Sequence, residues 1–310
     1  MIRFDDQVAI VTGAGVGLGR CHALGLAQRG ARVVINDLGA TTDGTGQNTQ
    51  AAQSVYDEIT AMGGEAMING ADVSNADQVQ DMVTEIMDQW GRIDVLINNA
   101  GILRDKTFAK MDISDFQKVI DVHLMGSANC CHAVWPHMRA AQYGRIVLTA
   151  SASGLYGNFG QANYGAAKAA MAGLMNVLHL EGARDNIRVN TLAPTAATRM
   201  TEDLMPEEAL ALLQPETITP GVLYLVSQNA PSRTILAAGA GVFAQTRIYE
   251  TEGQLIEGDI TPEAVAEQWD NITNPHNQSE LQDAFSQTKK FALRAAKAKG
   301  IDLKLSLIHI

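Results

Sequence analysis

Tyr164 and Lys168 stand four residues apart in Tyr164–Ala183, a segment of helical period, and residues so spaced share one helix face. Held about 4 Å from a phenolate at an effective dielectric near 20, an ammonium stabilises it by about 4 kcal/mol, roughly three pKa units. A tyrosine brought from ~10 toward neutrality in this way suits general acid/base work. Taken alone, such a pair is usually a surface coincidence. Ser151, thirteen residues earlier, follows a strand-like run ending at Thr149, which puts a second hydroxyl at the carboxyl edge of a sheet. Near the amino terminus, Thr12–Gly19 (TGAGVGLG) lies between a strand-like run and a helical one. There Gly13, Gly17, Leu18 and Gly19 permit a tight turn that brings backbone N–H groups to a pyrophosphate at a helix N-terminus. The plainer reading is a tight turn and nothing more. Asp37, 24 residues after Gly13, sits where a carboxylate binds ribose hydroxyls and opposes a 2′-phosphate, so NAD is favoured over NADP. Its plainer reading is a solvated turn residue.

The elements that position these groups alternate along the chain. Strands are expected at Val8–Thr12, Arg32–Asn36, Ala66–Ala71, Ile93–Ile97, Arg145–Thr149 and Ile187–Leu192. Most are apolar at successive residues, as in strands buried on both faces. Helices are expected at Leu18–Arg29, Thr49–Ala61, Ala76–Trp90, Asp115–Met138 and Tyr164–Ala183, with Ser74 as the cap of the third. This order predicts an α/β fold, a doubly wound parallel sheet of Rossmann type. Gly39–Asn48 (GATTDGTGQN) is too polar and glycine-rich to pack and is expected to be a surface loop. Residues 1–245 form the dinucleotide-binding domain. Residues 246–304 read as a helical extension packed on it, with Thr261 and Pro262 starting one helix and Ser279–Lys299 forming another. The last six residues, Leu305–Ile310, match the in-frame translation of a sequencing-library adapter and are expected to be foreign to the native tail; a short native tail is the alternative.

Composition narrows the function classes. With 46% hydrophobic and 18% charged residues, the chain is an ordinary globular one. A formal charge of −11 argues against nucleic acid as a partner, since phosphate affinity comes from clustered Lys and Arg. No apolar stretch approaches the roughly 20 residues of a membrane span. Three cysteines make no disulfide framework, so a reducing, cytoplasmic setting is expected. His132 and His137 lack a metal-ligand pattern, and no metal is expected.

Together, Thr12–Gly19, the turn Asn98-Asn99-Ala100-Gly101, Ser151 and Tyr164-Gly165-Ala166-Ala167-Lys168 resemble the short-chain dehydrogenase/reductase family, in order and at family spacing from residue 7 to about 245. The resemblance implies a dehydrogenase in which Tyr164 moves the hydroxyl proton, Lys168 grips the nicotinamide ribose and lowers the Tyr pKa, and Ser151 orients the carbonyl. It also implies cofactor contacts at Asp72, Val73, Asn99, Ala100 and Gly101, and a homodimer whose interface buries faces of the Asp115–Met138 and Tyr164–Ala183 helices. The segment Ser151–Tyr164 (SASGLYGNFGQANY) and Ile35–Gly39 resemble the branch of that family formed by dehydrogenase domains of peroxisomal multifunctional enzymes. That branch implies NAD and a (3R)-3-hydroxyacyl-CoA substrate. A hydroxysteroid or other secondary alcohol is the alternative, and a non-catalytic NAD-binding protein is a third reading. Two departures from the family pattern stand out. His123 occupies a position where many members place an Asn that feeds a proton relay; it serves either in such a relay or as a structural histidine. Pro194-Thr195 replaces the usual Pro-Gly. Residues Thr195–Gln214 are expected to form a substrate lid, with Met200, Leu204 and Met205 as acyl contacts or core filler.

Overall fold

A computed structural model describes residues 1–46, 50–196 and 206–304. Met200, Leu204, Met205 and the tail Leu305–Ile310 lie outside the described residues. The chain divides into two compact units, Met1–Thr246 and Arg247–Ile310.

In the first unit eight strands form one sheet in the order β3-β2-β1-β4-β5-β6-β7-β8. They are β1 (Val8–Thr12), β2 (Arg32–Asn36), β3 (Ala66–Asn69), β4 (Val95–Asn98), β5 (Gly144–Thr149), β6 (Ile187–Pro194), β7 (Ile235–Gly239) and β8 (Val242–Thr246). All pairings are parallel except β7 with β8. The helices are α1 (Gly17–Ala27), α2 (Gln50–Ala61), α3 (Ala76–Trp90), α4 (Ile113–Ile120), α5 (Gly126–Ala141), α6 (Ala152–Tyr156), α7 (Ala162–Gly182), α8 (Glu207–Leu212) and α9 (Thr219–Leu225).

The unbroken apolar runs follow from cores on both faces. Val8 and Ile10 of β1 enter a cluster with Met82, Val134 and Met171 from α3, α5 and α7. Ala9 and Val11 point the other way, to Leu26, Val55 and Val222 from α1, α2 and α9. With helices on each side, neither face of the strand needs a polar residue. The doubly wound expectation therefore holds. All three cysteines are free and buried.

The structure corrects several sequence expectations. The α3 cap is Asn75, whose Oδ1 accepts from Asp77 N and Gln78 N at 3.0 and 3.2 Å. Ser74 stands one residue too early and instead donates to Asp72 Oδ1 at 2.7 Å. The long helix expected over Asp115–Met138 begins at Ile113 and is interrupted by a π turn, Asp121–Met125, between α4 and α5. Strands β7 and β8 were unforeseen: β7 (ILAAG) is poor in β-branched residues, and β8 is largely exposed and carries no burial pattern.

The second unit holds α10 (Pro262–Glu267), α11 (Trp269–Ile272) and α12 (Ala284–Ala298). Thr261 caps α10 as expected, accepting from Ala264 N at 3.2 Å. Asp283 caps α12, which starts later than expected because Ser279 pairs with Glu250 through the backbone. Among its described residues only Ala296 is a buried apolar side chain. Polar contacts tie it together, including Lys290 Nζ to Glu250 at 2.8 Å and Arg294 to Gly253 O at 2.8 Å.

Arg145 on β5 is 1% exposed. Its guanidinium donates to the carbonyls of Ser227, Gly144, Asn186 and Gln228 and stacks 4.2 Å from the Tyr143 ring centroid. No carboxylate among the described residues answers it, and burial holds its pKa below the usual arginine value. Arg145→Met would strip donors from four carbonyls at a cost of about 3 kcal/mol. Thermal unfolding should then fall by about 6–12 °C; an unchanged melting temperature would refute this role.

Candidate active site

The sheet order reverses between β1 and β4, and at their carboxyl ends opens a cleft of about 630 Å³. Every candidate catalytic or cofactor-binding residue named from the sequence lines it except Gly19 and Ser151. Gly19 lies beneath the Gly-rich loop, where a Cβ would overlap Gly13 O and Asn99 Nδ2. Gly13 itself turns at φ +62°, a conformation costly for residues with a Cβ.

Thr12 and Asn99 staple the Gly-rich loop to the Asn98–Gly101 turn. Asn99 Nδ2 donates to Thr12 O and Gly13 O at 2.9 and 3.1 Å, and Thr12 Oγ1 accepts from Asn99 N and Ala100 N at 2.9 and 3.0 Å. Asp37 is held by Gly15 N at 2.6 Å and Gly39 N at 2.7 Å. The α1 N-terminus has no side-chain cap at Val16, so its leading N–H groups remain for an anionic ligand.

Tyr164 and Lys168 line the cleft, and Ser151, the cap of α6, follows directly after the lining residue Ala150. Ser151 Oγ accepts from Ser153 N at 3.2 Å, and this side chain works against burial to hold the Tyr164 pKa down. Lys168, buried on α7, donates through Nζ to Thr149 O at 2.6 Å, and its Nζ lies 5.7 Å from the Tyr164 ring centroid. Burial pulls its pKa down to about 7. The tyrosine goes the opposite way from the sequence expectation: burial pushes its pKa up, the Ser151 bond pulls it back, and Asp105 adds to the rise. The ammonium faces the ring and a carbonyl rather than the phenolic oxygen, so the expected lowering is absent from this arrangement.

His123 stands on the π turn, edge-on to Tyr164 with ring centroids 5.3 Å apart. Its Nε2 meets the Ile102 backbone, 3.0 Å from N and 2.8 Å from O. Burial lowers its pKa to about 3, so the imidazole is neutral. His123 Nδ1 and Thr149 Oγ1, on two residues of the cleft lining, are buried without a hydrogen-bond partner. Unpaired polar atoms, an uncapped helix N-terminus and the glycine cradle together fit a dinucleotide.

Sequence reasoning missed three features. The loop expected to lie free contributes Ala40, Thr41, Thr42 and Gly44 to the cleft wall. It packs through its own polar groups: Thr41 Oγ1 donates to Asp43 and Thr45 O, and Leu103 N and Arg104 Nε donate to Thr42 O and Asp43 O, both at 2.9 Å. Its Thr-Thr-Asp-Gly-Thr composition is the available signal, since such residues form local turns. Lys118 of α4 also lines the cleft. Asp105, Gln161 and Asn163 gather around the start of α7, and nothing in their spacing marks them.

The family described as short chain dehydrogenase matches residues 7–209. The chain belongs to that family. The peroxisomal hydratase-dehydrogenase-epimerase of Saccharomyces cerevisiae is 45% identical over 93% of this chain and 34% of its own length. The chain thus spans about a third of that relative. The full-length peroxisomal multifunctional enzyme type 2 of Drosophila melanogaster superposes with a TM-score of 0.80 at 35% identity, covering 96% of this chain and 50% of that one. A 7α-hydroxysteroid dehydrogenase complexed with NADH and 7-oxo glycochenodeoxycholic acid superposes with a TM-score of 0.69 at 29% identity, covering 77% of this chain and 95% of that one.

Two predictions arise from this geometry. Gly19→Ala forces the loop away from Asn99 and should weaken dinucleotide binding at least about tenfold in a fluorescence titration; unaltered affinity would refute the packing argument. Lys168, at about 7 against 10.5 in the unfolded chain, makes the fold disfavour the ammonium. Its penalty is full below pH 7 and fades as pH rises toward 10.5. An anionic dinucleotide restores the ammonium, so NAD binding at pH 8 should take up close to one proton. Calorimetry in buffers of different ionisation enthalpy reads that uptake; a buffer-independent heat would contradict it.

Proposed function

We propose that this chain interconverts (3R)-3-hydroxyacyl-CoA and 3-ketoacyl-CoA thioesters. The observation that carries the reading is the assembly of Ser151, Tyr164 and Lys168 at the switch point of a short-chain dehydrogenase fold. The likeness to multifunctional peroxisomal enzymes over nearly the whole chain supports the thioester.

The cofactor is NAD(H). Asp37, fixed by two backbone N–H groups, would face a 2′-phosphate at about 5 Å with a repulsion of about 3 kcal/mol at an effective dielectric near 20. Gly13, Gly17 and the α1 N-terminus would hold the pyrophosphate, and Asp37, Asp72 and Val73 the adenosine end. The bound nicotinamide supplies a hydride acceptor. Tyr164 takes the hydroxyl proton as the C3 hydrogen leaves. Ser151 holds the reacting oxygen by hydrogen bond. Lys168, charged once the cleft is filled, stabilises the tyrosinate and grips the ribose. His123, neutral and edge-on to Tyr164, offers its unpaired Nδ1 to a water in a proton relay.

We further propose a homodimer. Met125 between α4 and α5, and Val177 and Leu180 on α7, are about half exposed and suit an interface through those helices. Among the described residues no helix is long and apolar enough to cross a membrane. Buried free thiols suit a reducing compartment, for which we propose the cytoplasm, although the relatives are named as peroxisomal. A hydroxysteroid is the second reading, favoured by the superposition on the bile-acid-bound dehydrogenase.

Nicotinamide reduction with (3R)- and (3S)-3-hydroxyacyl-CoA of several chain lengths, each with NAD and NADP, tests the proposal. Turnover confined to the (3R) substrate with NAD, and reduced at least about 10³-fold in Tyr164→Phe, is expected. Turnover of 7α-hydroxysteroids and neither thioester would transfer the assignment to the second reading.

A further inference from the structure

The polar loop after β2 and the chain after β4 join into a closed circuit of backbone and hydrogen bonds in the cleft wall. It starts at the Gly-rich loop, where Gly15 N donates to the Asp37 carboxylate at 2.6 Å. Asp37 also holds the root of the polar loop, accepting from Gly39 N at 2.7 Å. At the far end of that loop, Leu103 N donates to Thr42 O and Arg104 Nε to Asp43 O, both at 2.9 Å. From Leu103 the chain runs back to Asn99, whose amide returns to Thr12 O and Gly13 O. Each segment of the circuit supplies cleft lining: Gly13, Asp37 with residues 38–42 and 44, and residues 99–102.

Arg104 is the side chain that ties this circuit to a helix. Its Nε holds the loop while its Nη1 donates to Asp115 Oδ1 of α4 at 2.6 Å. A guanidinium offers such donors in a rigid planar fork, so one side chain fixes the loop tip relative to α4. The two side chains of this ion pair are 27% and 15% exposed, against 49% and 73% for Lys106 with Asp112, so solvent screens it less. Gly44, at φ +83°, brings the loop tip against Ile102, where a Cβ would stand 3.1 Å from Cγ2. The tip is otherwise ordered by Asp43 Oδ1, which accepts from Thr41 Oγ1, Thr45 N and Thr45 Oγ1. None of residues 39–46 is buried. A segment with so little buried surface opens locally at small cost, so its position depends on its anchors.

We propose that Arg104 is a positioning residue for the dinucleotide: by pinning the loop to α4 it closes the cleft wall beside the adenosine half, and release of this pin sets how fast the dinucleotide leaves. The proposal rests on the placement of the adenosine end at Asp37, Asp72 and Val73, and not on the identity of the substrate. Residues 38–42 follow Asp37 directly in the lining, so an adenosine held at Asp37 lies against them.

Stopped-flow displacement of NADH, followed by its fluorescence, tests the pin. Arg104→Met should raise the NADH dissociation rate about tenfold with the binding stoichiometry unchanged. ADP-ribose, which carries the adenosine half without nicotinamide, should bind that variant about tenfold more weakly. Arg104→Lys keeps the charge but lacks the fork, and should release NADH at least about fivefold faster than the parent. In both variants the backbone carbonyl at 104 keeps its bond from Asn163 Nδ2, so the start of α7 is left in place. Circular dichroism checks that each variant is folded. Parent-like NADH dissociation from folded Arg104→Met overturns the proposal. A parent-like Arg104→Lys beside a fast Arg104→Met also overturns it, since charge alone would then explain the effect. Failure of ADP-ribose to displace NADH from the parent would overturn the adenosine placement itself, and this inference with it.

Discussion

The amide of Asn99 holds the site together. By donating to both Thr12 O and Gly13 O it ties the end of β1 to the turn after β4, the two strands between which the sheet order reverses. A parallel sheet has no hydrogen bonds to offer beyond its strand ends, so the crevice there would otherwise gape or collapse with the loops on each side. Thr12 adds the reverse bonds, its hydroxyl accepting from Asn99 N and Ala100 N. Gly19 completes the arrangement because it lacks the Cβ that would push this junction apart. The cradle for phosphate, the wall of the cleft and the direction taken by the loop carrying Ile102 all inherit their position from these few bonds.

Burial gives Tyr164 and Lys168 opposite tendencies. Desolvation raises Tyr164 and lowers Lys168, so in the protein alone each is pressed toward its neutral form. The Lys168 ammonium is aligned on Thr149 O rather than on the phenolic oxygen. A charged ligand entering the cleft reverses the balance for the lysine first, and the tyrosine gains a cationic neighbour only as a consequence. The acid/base role proposed for this pair is thus conditional on a charged ligand, and the protein alone is spared a permanent buried charge.

Much of this was legible in the sequence. Apolar runs without alternation gave the parallel sheet, because Val8 to Val11 feed two cores at once. The glycine string, Asp37 and the Tyr164–Lys168 spacing located the cleft, since backbone geometry leaves few alternatives at such positions. Less was legible where tertiary contact decides. Strand β8 is exposed and patterned only by its partner β7. The polar loop after β2 packs by internal hydrogen bonds that composition hints at without fixing a shape. The tyrosine's tendency was misjudged because spacing on a helix shows that two side chains are near, not which atoms face each other.

The π turn at Asp121–Met125 carries His123, which departs from the family pattern. An imidazole is larger than the carboxamide found there in many family members, and it must fit between Tyr164 and the chain leaving β4. On this π turn His123 is placed so that Nε2 reaches the Ile102 backbone. The space it enters is the space a side chain on Gly101 would fill, since a Cβ there would overlap His123 Cε1. Gly101 and His123 therefore act as a matched pair, and the absence of a side chain in the loop is what admits the ring. The same fit excludes water from the ring's Nε2 side and holds the imidazole neutral, leaving Nδ1 as its one unpaired polar atom at the cleft wall.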